Sequence, residues 1–220
     1  MRPRIYYSTH HLWSAKSWAE ESARIEESEL AGGRLDPRLW ATATAGIFSA
    51  VAFLESAVNE LFQDAFDDHV LLLAPIDPGT REALAGFWRI MAEHSGATRS
   101  RFGTTEKFDI ALTIMGHEPF DHDAELYRNV RLLIRVQNAL VHYKPLTLQR
   151  IDHSRFEDDL LGRFPLRSAV AARAAEAPFF PDAVLGAGIV AWGIEHALAY
   201  TDAFFRTVGI TPNYATAEIA

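Results

Sequence analysis

Apolar residues recur along this chain at three- and four-residue intervals, and Gly or Pro separates one such run from the next. That spacing predicts helices throughout and an all-α fold, because no stretch alternates with the period of two that a strand ladder needs. A first amphipathic helix covers about Ser8 to Leu30 and stops at Gly32-Gly33. Pro37 then stands at a favoured first-turn position for a long second helix reaching about Leu73, with Trp40, Ile47, Val51, Leu54, Val58, Leu61 and Phe62 on one face. A third helix is expected from about Thr80 to His94, and Thr104 reads as the N-cap of a short fourth. After the loop Gly116 to Asp123 comes a helix with a polar stripe, then an irregular stretch from Pro145 to Pro165. A short Ala-rich helix follows, and after Pro181 a last long helix runs to about Val208. Residues 212–220 are expected to fray. The whole reads as one helical domain over residues 1–220, its core at about 37–208 and its N-terminal helix at 8–30.

Composition changes this picture only at its edges. With 220 residues and 49% apolar content the chain can bury a full core. It has no cysteine, which excludes a disulfide framework, thiolate metal sites and cysteine nucleophiles. The N-terminal residues lack an apolar run long enough for a signal-peptide core, so a cytoplasmic location is expected. The uncharged segment Ala183 to Ile194 is far shorter than the about 20 residues a bilayer crossing needs, and no membrane association is expected. A net charge of −8 argues against non-specific coating of nucleic acid. It leaves room for a local basic site, and Arg128, Arg131, Arg135, Lys144 and Arg150 do gather in one segment.

That segment carries the chemistry. At about 100° per residue, Arg131, Arg135, Asn138 and His142 fall within an arc of roughly 60°, opposite Leu126, Val130, Leu133, Ile134, Leu140 and Val141. A helix needs one apolar face to hold it to a core, so the opposite stripe is free for other work. A solvated face is the competing reading. The sharper one is that a neutral imidazole takes a proton from a hydroxyl near pH 7, while an Arg one or two turns away stabilises anionic phosphate charge.

Other candidates weigh less. Glu55 projects into the apolar arc of the second helix with Asn59 near its edge, so its carboxylate requires a hydrogen-bonding partner on a neighbouring helix. Gln137 is one candidate and the Arg135 to His142 stripe the other. Glu55 and Asn59 are thus placed as support behind the motif. His117, Asp121, His122 and Asp123 offer metal-ligand types, but Pro119 breaks any register that would aim them together, and a solvated turn is expected. Five tryptophans spread over the helices read as core anchors rather than a base-stacking platform. No phosphate-cradling Gly loop, metal motif or nucleophile elbow is present, so no metal or cofactor is expected.

Asn138-Ala-Leu-Val-His142-Tyr143-Lys-Pro145, with Arg135 before it, resembles the signature of HEPN domains, in which an Arg, four to six intervening residues and a His often enclose a polar residue such as Asn. Ala52-Phe-Leu-Glu55-Ser-Ala-Val-Asn59-Glu-Leu-Phe62 is similar to an early helix of several HEPN groups. The resemblance implies an up-and-down helical bundle, here with extra flanking helices, that dimerises so that two motifs share a cleft. It implies metal-independent cleavage of RNA in a toxin, defence or RNA-processing role. His142 would act on the ribose 2′-hydroxyl, Arg135 would hold the phosphate, Asn138 would orient the His, and Arg131, Tyr143 and Lys144 would contact substrate. An antitoxin or a nucleotidyltransferase is the partner such systems imply. Lys144 stands where some members carry a modifiable Tyr, so that modification is not carried over. The alternative is a non-catalytic HEPN-like module that binds a nucleotide, RNA or a protein partner.

Overall fold

The computed structural model describes residues 4–32, 35–69, 73–93, 102–144, 155–167 and 179–216. Among them the fold is all-α, as the periodicity predicts, with no strand. The helices are α1 (Tyr7–Gly32), α2 (Arg38–Phe66), α3 (Pro78–Glu93), α4 (Thr104–Ile114), α5 (Glu125–Val141), α6 (Arg155–Leu160), α7 (Ala187–Val208) and α8 (Asn213–Thr216). The Ala-rich helix expected before Pro181 falls outside the described residues.

Local chemistry explains most boundaries. Helix α1 buries Ser8, Leu12, Ala15, Ser22, Ile25 and Glu29, a three-four spacing that makes one seam. Helix α2 ends at Phe66 instead of near Leu73, because Asp68 adopts a left-handed φ of 51° and the His69 N–H returns to the Asp64 carbonyl at 2.8 Å. Asp77 starts α3 by accepting the N–H groups of Gly79 and Thr80, each at 3.0 Å. The cap of α4 is Gly103 rather than Thr104: the Glu106 carboxylate accepts the Gly103 N–H at 2.7 Å, and the Thr104 hydroxyl is donated elsewhere. Gly209, with φ +69°, closes α7. Two corrections concern segments expected to be irregular. Helix α6 forms within the Pro145 to Pro165 stretch, and α8 forms where fraying was expected.

The chain divides into two compact units. One comprises Met1–His10, Ala52–Arg128 and Leu198–Ala220, the other His11–Val51 and Asn129–Ala197. In the first, Phe62 stacks on Trp88 at 5.6 Å and Phe108 meets Tyr200 and Phe204 edge-on at 5.2 and 4.9 Å. Tyr214 of α8 packs against Phe53 and Phe205 and donates its hydroxyl to Asp202 at 2.8 Å, contacts that hold α8. The N-terminal segment is tied to α2 by Asp64: Arg4 Nε lies 2.8 Å from its Oδ1, and the Tyr6 hydroxyl donates to its Oδ2 at 3.2 Å. Burial pushes the Asp64 carboxyl up to about 6, against the pull of Arg4. Burial, then the Asp64 charge, pushes Tyr6 up to about 12.

In the second unit α1, α2 and α7 approach closely at Gly46, where an added Cβ would stand 2.5 Å from Val190 Cγ1. Gly188 is tighter still, since a Cβ there would lie 2.1 Å from the Pro165 carbonyl oxygen. A fully buried ion pair joins Arg167 to Glu29, with the guanidinium 5.2 Å from the centre of the Trp40 ring. Trp88 and Trp192 are buried anchors as expected, but Trp13 and Trp18 on α1 are 50% and 39% exposed, off the seam that faces the core. By length and composition α2 is the one helix among the described residues long and apolar enough to cross a bilayer, and 56% of that window is buried inside the protein.

Candidate functional site

Helix α5 sorts its residues sharply. Tyr127, Val130, Leu132, Leu133 and Val136 are buried, while Arg128, Arg131, Arg135 and Asn138 are exposed. The His142 N–H bonds the Asn138 carbonyl at 3.0 Å, so the helical turn continues past Val141 and carries the imidazole onto the same face as Arg131, Arg135 and Asn138. The apolar side does not persist to the end of the helix. Val141, assigned by the pattern to the buried face, is 51% exposed, because the last turn of α5 extends beyond the buried side chains. His142, Tyr143 and Lys144 are exposed beside it. At this end of α5 the Val141 side chain, the His142 imidazole and the Tyr143 phenol are all exposed.

Arg135 is engaged. Its Nη1 lies 2.8 Å from Asp159 Oδ2 of α6, and its guanidinium carbon is 5.2 Å from the centre of the Phe156 ring. Both charged side chains are exposed, Arg135 by 48% and Asp159 by 40%, so the pair is one that solvent weakens to about 0–1 kcal/mol. Helix α6 is held in place around it. Phe156 meets Phe180 edge-on at 5.2 Å, Leu160 is buried, and Arg163 Nη1 donates to the buried Asn129 Oδ1 at 3.3 Å. The sequence pattern predicts an irregular segment here and gives no role to Phe156 or Asp159. Its only signal was the acidic run Glu157-Asp158-Asp159 after an aromatic residue.

Glu55 and Asn59 belong to the first unit, and Glu55 finds its partner on a neighbouring helix there. The carboxylate accepts from Lys107 Nζ, from the Thr104 hydroxyl at 2.5 Å and from Asn59 Nδ2 at 3.2 Å, while Lys107 also donates to Asn59 Oδ1 at 3.0 Å. These partners lie on α4 and α2, a different set from Gln137 or the Arg135 to His142 stripe. Burial opposes ionisation of Glu55, but Lys107 and Thr104 outweigh it and hold the carboxyl below its ordinary range. Lys107 was not singled out from sequence. Its position beside Phe108, one turn before Ala111 and Leu112 on the buried side of α4, was the available signal.

The Gly116 to Asp123 loop is largely solvent-exposed, as expected, and is anchored at two points. Asp109 of α4 accepts the Phe120 N–H at 3.1 Å and pairs with His122 Nε2 at 3.0 Å, and the His122 ring stacks on Tyr127 at 4.2 Å. Among the described residues no group of three or more His, Asp or Glu side chains is gathered to hold a metal ion. No known family profile matches this sequence, and comparison with curated proteins and with solved structures gives no match.

Proposed function

We propose that this protein is a HEPN-like, metal-independent endoribonuclease that uses His142 and Arg135 of α5 on RNA phosphodiesters. The observation that carries the reading is the joint exposure of Arg131, Arg135, Asn138 and His142 on one face of a helix whose other face is buried. In this reading His142 removes the proton from the ribose 2′-hydroxyl, the oxygen attacks the adjacent phosphorus, and the P–O5′ bond breaks as the 5′-oxygen takes a proton from solvent, giving a cyclic phosphate and a 5′-hydroxyl end. Arg135 and Arg131 stabilise the charge that builds on the phosphoryl oxygens. Asn138, one turn before the imidazole, orients it, and the exposed Tyr143 and Lys144 border the substrate. The exposed end of α5, with Val141 uncovered, is the surface at which a second copy would bring a matching motif.

A specific observation favours a second reading. Because Arg135 is occupied by Asp159, a non-catalytic module that binds RNA, a nucleotide or a protein through the remaining stripe is the alternative. The two separate on incubation of wild type and His142→Ala with mixed RNA in the presence of a chelator. Fragments with cyclic phosphate ends are expected from wild type, with a loss of about 10²–10⁴-fold in the variant. Equal cleavage by both proteins would overturn the assigned chemistry, and RNA binding without cleavage by either would support the module.

A further inference from the structure

We infer that Asp159 of α6 is a built-in competitor for the phosphate site on α5, occupying Arg135 in place of an RNA phosphate. The inference rests on the ribonuclease reading and adds to it a means of restraint. Its basis is geometric. Asp159 Oδ2 takes the Arg135 Nη1 at 2.8 Å, the separation a phosphate oxygen would adopt on the same donor. Phe156, from the same turn of α6, lies against the guanidinium and fixes its plane. Helix α6 is pinned by its own contacts, through Leu160 in the core, Phe156 on Phe180, and Arg163 on Asn129, so the carboxylate stands beside Arg135 in the protein alone.

Charge points the same way. Asp159 is a carboxylate, acidic like its neighbours Glu157 and Asp158, so it offers Arg135 the same kind of partner that a phosphate would. A carboxylate at hydrogen-bond distance cancels most of the attraction that Arg135 would exert on a phosphate and repels the phosphate itself. Because both side chains are about half exposed, the pair is weak enough for a polyanion to displace. The site therefore responds to ligands that bring several phosphates at once and discriminates against a single phosphate or mononucleotide.

Binding of a uniform single-stranded RNA, followed across a salt series in wild type, Asp159→Asn, Arg135→Ala and the double variant, tests this. Asp159→Asn is expected to raise affinity by about 2–5-fold. It is also expected to steepen the slope of log affinity against log salt by up to about 0.7, the limit set by one further phosphate contact. Both gains should vanish in the Arg135→Ala background. If Arg135→Ala weakens binding but Asp159→Asn changes neither affinity nor slope, the competitor is refuted and the ribonuclease reading stands. A gain from Asp159→Asn that persists without Arg135 would refute it as well, since bulk charge then accounts for the effect. If Arg135→Ala binds as wild type does, the reading of the site fails and the inference fails with it.

Discussion

Single residues show how charge inside this fold is made tolerable, and where it is not. Lys107 is 3% exposed and survives burial because Glu55 and Asn59 accept its protons. Glu29 and Arg167 are wholly buried and paired through Nε and Nη2, while Arg167 Nη1 finds no acceptor among the described residues. Asp64 is the less comfortable case. Its native carboxyl sits at about 6 against an ordinary 3.8, so the folded state holds that proton more tightly than the unfolded chain does. The stability this confers is present below about pH 4 and is lost as pH rises through 6. Asp64→Asn, which cannot ionise, is therefore expected to gain stability relative to wild type between pH 4 and 6 in parallel urea titrations. A constant difference across that range would show that burial does not control the group. Sequence made Glu55 conspicuous, because a lone carboxylate among Leu54, Ala57 and Val58 asks for a partner. Which partner answers depends on the pairing of helices, and that choice between Lys107 and residues of α5 is not written in either helix alone.

At the scale of elements, legibility followed amphipathicity. The long helices α1, α2, α5 and α7 were readable because each commits many apolar side chains to one period, and the polar stripe of α5 emerged at the residues expected. Helices α6 and α8 were not. Each is a turn or two long and is formed by tertiary contacts, Leu160 and Phe156 for the one and Tyr214 for the other, rather than by any local pattern. The end of α2 was overestimated for a related reason: apolar residues continue past Asp68, but one left-handed residue ends a helix whatever follows it. Close approach between elements is equally invisible in a pattern. Gly188 admits the Pro165 carbonyl to within a distance no side chain allows, so Gly188→Ala is expected to destabilise the protein by roughly 2–3 kcal/mol through overpacking. Thermal or urea unfolding of that variant measures it, and an unchanged midpoint would show that the Pro165 segment yields freely.

For the whole molecule, the balance of charge sets how a nucleic-acid site can work. A chain of net charge −8 repels RNA in general, so under the proposed function affinity has to come from a local arrangement, and the exposed cations of α5 are the candidate. Asp159 of α6 stands against Arg135 in the same stripe, so under the proposed function a weak, phosphate-dependent interaction is expected of this surface. The proposed chemistry adds a requirement that no electrostatic account shares: the attacking group is the 2′-hydroxyl of the substrate itself. The most direct measurement compares cleavage by the wild-type protein, in chelator, of a single-stranded RNA and of the same strand with 2′-deoxy sugars throughout. The account predicts fragments from the ribose strand and none from the deoxy strand at equal occupancy. Cleavage of both strands, or of neither when both are bound, would contradict it.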